Sequence, residues 1–490
     1  MKWVNNTILG NKKNFSDTWI IILLVLINIA LKSVYLTDYN IDLDEPFSLF
    51  HSQQTLRELF SIFKNENNPP FHFLILHFWI KLFGIGPLSA RILPMLTGSF
   101  AVIFIYKLGK KFLNFKSGIV AALLYTFSNS MIMEAHDCRV YSLFVLLTAA
   151  SMYFYMSLIQ EPKTKRYLFA LTITNICLLY SHFLAFLLIG LQLFFLLLNT
   201  EIRKKAAKPI LLSFFFAFLA YLPYASLFLV RFMETSVQGT NQPQLNFVNA
   251  YSTFFVTFGN GFLVSNLYLA LIVSFLAGIV LKKIRLSVHE IIFAGWFVGV
   301  YLASFLISFK FPIVTTPRYL VFIVPGFFLF VIIAVNRLFV RDKFLHNAML
   351  AFVVLLMLSS IDLYYSNKME AEKTVRFIKE NKSDSTLVYV VPPWVAYVFA
   401  YHYDLDIFKD YRNFDERLHL ENIYLLSSAS GMDTSLFQNA SDILLLDGWG
   451  NMSYVDPELT IMNSLESNFG TMDQQTIFQS YGVYHFSKTQ

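Results

Sequence analysis

Long apolar segments separated by short polar ones fill the chain as far as about residue 365. A helix of roughly 20 mainly apolar residues crosses a bilayer, so each such segment is a candidate transmembrane helix. The candidates are 18–36, 88–107, 118–134, 140–159, 167–181, 183–199, 209–230, 262–281, 289–308, 319–336 and 347–365. The pattern predicts a mainly α, polytopic membrane protein with about eleven transmembrane helices.

One further apolar segment, PPFHFLILHFWIKLFG at 69–84, is short and carries His72, His77 and Lys81. We predict an interfacial helix in the first outer loop rather than a span. The basic loops decide between the two, and they are 107–116, 163–166, 203–208, 282–285 and 337–343. If 69–84 does not span, all of them face the side of Lys2, Lys12 and Lys13, as the positive-inside rule requires. If it did span, every one of these loops would lie outside. We therefore expect a cytoplasmic N-terminus and an extracytoplasmic first loop.

Composition agrees with a membrane protein and excludes an ordinary soluble one. Of the 490 residues, 56% are hydrophobic and only 14% are charged. The first apolar segment has no small-residue cleavage site, which predicts a retained span. The net charge of +6 is carried by the short loops, so nucleic acid is not expected as a partner. Cys138 and Cys177 both lie in or beside apolar segments, which argues against a disulfide framework.

The last part of the chain is more polar, and its pattern predicts a second domain. Strands are expected at 386–391, 422–428, 442–449 and 482–488, and helices at 367–381, 393–401 and 457–468. We predict a transmembrane domain at 1–365 and a small soluble α/β domain at 366–490. Eleven spans place this domain outside the cytoplasm. Asp447 and Trp449 in DGWGNMS are more simply explained by a strand that ends in a glycine-rich turn.

The first outer loop contains the acidic stretch YNIDLDEPFSLF, with Asp42, Asp44 and Glu45 beside an apolar surface. One explanation is helix capping, because acids favour a helix N-terminus and Pro46 favours its first turn. Capping accounts for one carboxylate. Three acids within four positions are costly beside a membrane unless a cation or a proton meets them.

Three other polar sets lie at the predicted outer ends of spans, in MIMEAHDCRVYSLF, LLYSHFLAF and TTPRYLVFIVPGFF. Each also has a structural explanation: an ion pair between Asp137 and Arg139, a structural His182, and an Arg318 that snorkels to the interface. Taken together, they place carboxylates, a histidine and two arginines at one membrane face. Such a constellation is typical of an active site.

Six segments follow one another along the chain: LDE, NNPPFHFLILHFWIKLFG, SARILPMLTGSFAVIFIYKLGKKF, HDCRVY, YSHFLAF and RYLVFIVPG. Together they resemble the pattern of bacterial membrane glycosyltransferases of the C-type superfold, in the dolichyl-phosphate-mannose protein mannosyltransferase-like group. The resemblance covers most of residues 35–335. It implies a polyprenyl-phosphate-linked sugar donor, a catalytic acidic pair at Asp44 and Glu45, and site contacts from Arg139 and Tyr141. This chain has His136, Asp137, Cys138 and Arg139 where relatives often have Gln-Glu-Ala-Arg, so Asp137 keeps the acidic group on a side chain one carbon shorter.

The resemblance implies transfer of a hexose or pentose to a lipid, glycan or protein acceptor at the extracytoplasmic face of a bacterial inner membrane. Such transfer needs a base for the acceptor hydroxyl and positive charge for the departing phosphate. The expected catalytic residues are Asp44 as base, Glu45 and Asp137. The expected substrate-binding residues are Arg139, Tyr141, His182, Arg318, Tyr319 and His72. A single displacement would invert the anomeric centre.

Two questions stay open at this stage. Asp44, Asp137 and His182 are suitable ligands for Mg²⁺ or Mn²⁺, but no spacing demands a metal. A flippase for lipid-linked saccharides, or a noncatalytic envelope-assembly protein, would also be long and apolar. A flippase should carry ionisable residues at mid-membrane depth, whereas here they gather at helix ends. The sequence therefore favours the enzyme.

Overall fold

The structure is a computed structural model that describes residues 13–62, 69–238, 245–311, 313–363 and 370–488. Its contacts divide the chain into two compact units. The first, here called the helical unit, comprises Met1–Val34, Phe60–His72 and Arg91–Leu363. The second, here called the sheet unit, comprises Tyr35–Leu59, Phe73–Ala90 and Tyr364–Gln490.

Helices account for nearly all regular structure before residue 364. In chain order they are α1 Lys13–Lys32, α2 Glu45–Ser52, α3 Leu56–Ile62, α4 Phe71–Phe83, α5 Pro87–Phe112, α6 Phe115–Thr126, α7 Asn129–Met133, α8 Tyr141–Gln160, α9 Lys165–Leu179, α10 Ala185–Leu198, α11 Thr200–Gln238, α12 Phe247–Phe258, α13 Phe262–Val280, α14 Val288–Ala294, α15 Val300–Ile307, α16 Val324–Leu338 and α17 Lys343–Ser359. Short 3-10 segments lie at Glu134–His136 and Pro317–Ile323, and a π-helical turn at Gly295–Gly299 joins α14 to α15.

Every apolar segment predicted to span the membrane contains a helix, which confirms a mainly α polytopic fold. Among the described residues, six helices are long and apolar enough to cross a bilayer. The number is seven if α6 and Asn129–His136, bent by 61°, form one broken span. The predicted count of about eleven is thus not confirmed and stays a prediction. Helix α4 has 13 residues, which at about 1.5 Å per residue is too short for a span, as predicted.

Helix α16 is the centre of the helical unit. Its apolar residues form an unbroken run, and Val324 to Val335 are all buried. A helix that is apolar on every side is stable only when it is surrounded, and α6, α13 and α14 pack against α16. Arg318 precedes the N-terminal end of this helix and Arg337 lies in its last turn. The segment between these arginines is long enough to cover roughly 30 Å, the thickness of a bilayer core.

The sheet unit contains a five-stranded sheet with helices packed on it. The strands are β1 Thr386–Val391, β2 Ile423–Leu425, β3 Asp442–Gly448, β4 Gly470–Phe478 and β5 Tyr481–Lys488. Their order is β2-β1-β3-β5-β4, in which β1 is parallel to β2 and β3, and β5 is antiparallel to β3 and β4. The helices are α18 Ala371–Asn381, α19 Ala396–Tyr403, α20 Leu405–Lys409, α21 Phe414–Leu420, α22 Met452–Val455 and α23 Thr460–Asn468. The predicted α/β character is confirmed.

Parts of the first outer loop belong to the sheet unit. His402 bonds through Nε2 to the Ile41 carbonyl at 2.7 Å, and the Gln53 amide donates to the Phe408 carbonyl at 2.7 Å. The Tyr411 hydroxyl also donates to Glu58, at 2.7 Å. The division predicted at 365/366 follows chain order, whereas this compact unit combines the C-terminal segment with residues from the loop.

Candidate active site

The helical unit gathers polar side chains from three separated parts of the chain, here called the helix-end cluster. All of them lie at helix ends or in the turns between helices. The 3-10 segment after α7 and the start of α8 contribute four members, the turn between α9 and α10 one, and the 3-10 segment before α16 two. The members are Glu134, Asp137, Arg139, Tyr141, His182, Arg318 and Tyr319.

Tyr141 lies at the centre of this cluster. Its ring centroid is 5.9 Å from that of His182 and 6.4 Å from that of Tyr319, and the last two are 5.8 Å apart. The guanidinium carbon of Arg318 lies 5.7 Å from the Tyr141 ring centroid, a cation-π distance. Arg318 is half-buried against this ring. The snorkelling explanation therefore does not describe its environment.

Two guanidinium groups act on the same set of neighbours. Arg139 is buried, and the charges of Arg139 and Arg318 both act on Tyr141, His182 and Glu134. A pair of guanidiniums close to shared aromatic rings is a suitable receptor for a phosphate group.

Glu134 is the member that the sequence analysis did not select. Its side chain is only 5% exposed, and Asp137 and both arginines act on it electrostatically. A buried carboxylate needs such cations nearby, because burial of an unpaired charge is costly. The sequence feature that could have identified Glu134 is its position three residues before Asp137, at the same predicted outer helix end.

His182 is oriented by its own turn. The Leu184 backbone N–H donates to Nδ1 at 3.2 Å, which assigns the ring proton of the neutral form to Nε2. The ring also stacks on Phe144, with centroids 5.0 Å apart. His182 is thus held with a single donor, Nε2–H, available to an anion.

Two other histidines brace the backbone of the cluster. His72, buried on α4, bonds through Nε2 to the Cys138 carbonyl at 3.3 Å, between Asp137 and Arg139. His136 bonds through Nε2 to the Lys32 carbonyl at 2.7 Å, which ties the end of α1 to this segment. Both contacts are to backbone carbonyls, as expected of groups that position a turn.

In the sheet unit, the acidic loop, residues 42–45, has a strained centre. Leu43 is 45% exposed and has φ +52°, a left-handed conformation that costs energy for a branched side chain. This turn separates its two acidic neighbours. Asp42 is buried, while Asp44 is half-buried at the start of α2.

Asp42 is hydrogen-bonded to the C-terminal part of the chain. Its Oδ1 accepts from the Tyr481 hydroxyl at 2.5 Å, from Trp449 Nε1 at 3.1 Å and from the Leu43 backbone N–H at 2.6 Å. Trp449 has φ +57°, the turn conformation expected for the end of β3. Burial raises the pKa of Asp42 from 3.8 to about 6, opposed by these hydrogen bonds and increased further by the charge of Glu45.

This pKa predicts a pH-dependent stability. Protonated Asp42 is favoured in the folded chain, so its stabilising contribution is complete below pH 3.8 and is lost as the pH rises through about 6. We expect Asp42→Asn to reduce this decline by about 2 kcal/mol. The measurement is the unfolding midpoint of the detergent-solubilised chain between about pH 4 and 7.

The exposed Asp38→Asn is the matched control, and it should leave the decline unchanged. Equal declines in wild type and Asp42→Asn would refute the assignment.

The remaining acids of this loop differ in environment. Asp44 is at the N-cap position of α2, but its side chain makes no capping hydrogen bond. Capping therefore does not explain Asp44. Glu45 is 5% exposed and lies in the first turn of α2.

The predicted site residues are divided between the two units. His72, Asp137, Arg139, Tyr141, His182, Arg318 and Tyr319 belong to the helical unit, and Asp44 and Glu45 to the sheet unit. The predicted convergence thus holds for the members of the helix-end cluster. Within the described ranges, no three His, Cys, Asp or Glu side chains are placed to hold a metal ion. Metal use stays a prediction.

Part of the chain that contributes to this site matches a known protein family. Residues 67–227 match the model of the family described as dolichyl-phosphate-mannose-protein mannosyltransferase. The match includes the segments that carry His72, Glu134 to Tyr141, and His182. No curated protein matches the sequence significantly.

Solved structures share the fold over nearly the whole chain. ArnT from Cupriavidus metallidurans, in the apo state, is 12% identical with a TM-score of 0.58, over 96% of this chain and 98% of that one. The same protein bound to undecaprenyl phosphate gives a TM-score of 0.57, at 12% identity over the same shares of the two chains. The oligosaccharyltransferase AglB from Archaeoglobus fulgidus, with an inhibitory peptide and a dolichol-phosphate, is 9% identical with a TM-score of 0.53, over 98% of this chain and 75% of that one.

The family match and the shared fold confirm the resemblance drawn from the sequence. The family match agrees with the prediction of a glycosyltransferase, and the shared fold agrees with that of a polytopic membrane protein.

Proposed function

We propose that this glycosyltransferase transfers a sugar from a polyprenyl-phosphate-linked donor to an acceptor hydroxyl or amide at the extracytoplasmic face, in one inverting step. The donor class is supported by the polyprenyl phosphates bound in the ArnT and AglB structures. The family match supports a sugar carried on a lipid phosphate. The acceptor is a lipid, a glycan or a protein.

The observation that carries the proposal is the shared environment of Arg139 and Arg318 in the helix-end cluster. Transfer from a lipid phosphate releases an anion, so catalysis requires positive charge at the departing oxygens. Guanidinium groups match phosphate geometry and stay charged at any relevant pH. His182 would add one neutral donor through Nε2–H. Glu134, buried beside both guanidiniums, would help to position them.

Tyr141 and Tyr319 would bind the donor sugar. Their rings lie beside the arginines, with centroids 6.4 Å apart. Tyrosine presents an apolar face and a hydroxyl, which together suit a sugar ring. Asp137, half-buried between Glu134 and Arg139, would bind a sugar hydroxyl or orient Arg139.

Asp44 would act as the general base that removes the acceptor proton, and Glu45 would orient it or bind acceptor. A base must be accessible, and half-buried Asp44 is more accessible than buried Glu45. Its carboxylate is also not used to cap α2. Use of Mg²⁺ or Mn²⁺ remains part of the proposal, and chelation tests it directly.

The basic loops support the proposed extracytoplasmic orientation of the cluster. Basic loops follow α5, α13 and α16. The helix-end cluster lies beyond the end of α6 that is far from the α5 loop, and beside the end of α16 that is far from its basic loop. Positive loops mark the cytoplasmic side, so the cluster would face outward in the cell membrane.

The test is transfer by the purified chain, reconstituted with a synthetic polyprenyl-phosphate-linked sugar and membrane-derived acceptors. We expect labelled product with the anomeric configuration opposite to that of the donor, measured by NMR. Retention of configuration would exclude a single displacement and would require a covalent intermediate. Transfer from a nucleotide sugar alone would exclude the lipid donor.

A further inference from the structure

A polar cavity lies in the helical unit, away from the helix-end cluster. Its volume is about 550 Å³. It is lined by residues at the end of α5, the start of α14, the end of α16 and the start of α17. The polar lining residues used below are Ser287, Glu290, Asn336, Arg337, Lys343 and His346. We call it the basic-face cavity, because the loops at these helix ends carry clusters of Lys and Arg.

An ordered ion pair forms one wall. Glu290 is 5% exposed and accepts from Arg337 Nε at 2.8 Å and from Nη2 at 2.5 Å. The Ser287 backbone N–H also donates to Glu290 at 2.7 Å, within a capping box. The carboxylate is therefore paired with a cation and accepts three hydrogen bonds. In the part of the chain that the structure describes, Arg337 Nη1 has no acceptor, so its hydrogens can reach a ligand.

A chain of hydrogen bonds fixes the side chain of His346, a second residue of the cavity wall. His346 Nε2 donates to the Asn336 side-chain oxygen at 2.7 Å, and the Asn336 amide donates to Ser117 Oγ at 3.1 Å. The imidazole is thus held in one orientation at the cavity wall.

The charges of the cavity favour an anion. Arg337 and Lys343 are basic residues of the lining, whereas Glu290 is the one lining carboxylate among the described residues. The nearby Asp342 is occupied as the N-cap of α17, where it accepts from the Phe344 and Leu345 N–H groups. A phosphate group in this cavity would have Arg337, Lys343 and His346 among its lining residues.

The position of the cavity identifies a lipid as the source of that phosphate. Arg337 and Arg318 lie at opposite ends of the central helix, separated by roughly the thickness of a bilayer core. The cavity therefore lies at the opposite membrane surface from the cluster. Apolar lining residues adjoin the cations, and Val340 among them is 67% exposed. Basic pockets between helix ends on this face suit anionic lipid head groups.

We infer that the basic-face cavity binds the head-group phosphate of an anionic phospholipid of the membrane leaflet on the basic side. This site is independent of the proposed transfer reaction. It would anchor the ends of α5, α14, α16 and α17 to one lipid.

The test uses the purified full chain in detergent and its unfolding midpoint as the measure of binding. The probes are short-chain phosphatidylglycerol, short-chain phosphatidylcholine and glycerol 3-phosphate. We expect phosphatidylglycerol to raise the midpoint, phosphatidylcholine to have little effect, and glycerol 3-phosphate to act more weakly than phosphatidylglycerol. In Lys343→Gln/His346→Gln, the apparent affinity for phosphatidylglycerol should fall about tenfold, while the Glu290 ion pair is kept.

Lys283→Gln, an exposed cation of the same membrane face outside the cavity lining, is the matched control. It should bind phosphatidylglycerol like wild type. The inference is overturned by equal stabilisation from phosphatidylcholine, or by equal affinities in the double variant and the control. A full effect from glycerol 3-phosphate would overturn the lipid source and indicate a soluble phosphate ligand.

Discussion

Asp44→Asn should reduce sugar transfer by about a thousandfold while the chain still folds and binds donor. Asparagine keeps the volume and one acceptor oxygen of aspartate but cannot take up the acceptor proton. A structural role predicts the opposite outcome. Asparagine caps helices as well as aspartate does, and the Asp44 side chain makes no capping bond to α2. The measurement is the initial rate of transfer, with unfolding midpoint and donor affinity measured in parallel.

Asp38→Asn is the control, since it makes the same chemical change at an exposed site in the same loop. It should transfer sugar normally. Glu45→Gln should cost less than Asp44→Asn, because an orienting or binding group contributes less than the base. Near-normal transfer by Asp44→Asn would remove the catalytic role from this loop.

Arg318→Gln and Arg139→Gln should each lower transfer by about a hundredfold or more, because each removes positive charge at the departing phosphate. The lysine variants should lose roughly tenfold, since a point charge replaces a planar fork that can bond two oxygens. Competition by free polyprenyl phosphate should weaken in parallel with the rate. A joint loss of transfer rate and of affinity for polyprenyl phosphate distinguishes phosphate binding from a structural role.

Arg231→Lys is the matched control, since Arg231 lies on α11 and pairs with Glu234 of its own helix. It should behave like wild type. If Arg139→Lys and Arg318→Lys both retain full activity and full affinity for polyprenyl phosphate, neither arginine holds the phosphate.

The helices were predictable because their signal is local. Twenty or so apolar residues must form a helix in a bilayer, whatever lies elsewhere in the chain. The same logic found β1, β3 and β5, whose residues are mostly buried and apolar. It missed β4, an edge strand with a polar and largely exposed sequence, GTMDQQTIF. Backbone pairing with β5, rather than burial of apolar side chains, holds this strand in the sheet. Its sequence therefore has no hydrophobic pattern to detect.

The site was predictable in part. Charged and aromatic residues at helix ends are unusual in an apolar chain, and this pointed to Arg139, Tyr141, His182 and Arg318. Hydrogen bonds between residues far apart in the sequence could not be recognised from the local sequence pattern. Asp42 bonds to Trp449 and Tyr481, more than 400 positions later in the sequence. Trp449, which pattern alone explained as part of a turn, therefore also holds the acidic loop by a hydrogen bond to Asp42.

The most direct test of the central claim follows a donor labelled on its sugar, with the purified chain in liposomes that contain acceptor. We expect wild type to release free polyprenyl phosphate in the same amount as sugar appears on the acceptor, and Asp44→Asn to leave the donor intact. A flippase would instead move the donor across the bilayer with its sugar attached. Movement of intact donor without cleavage, equal in wild type and Asp44→Asn, would contradict the assignment as a glycosyltransferase.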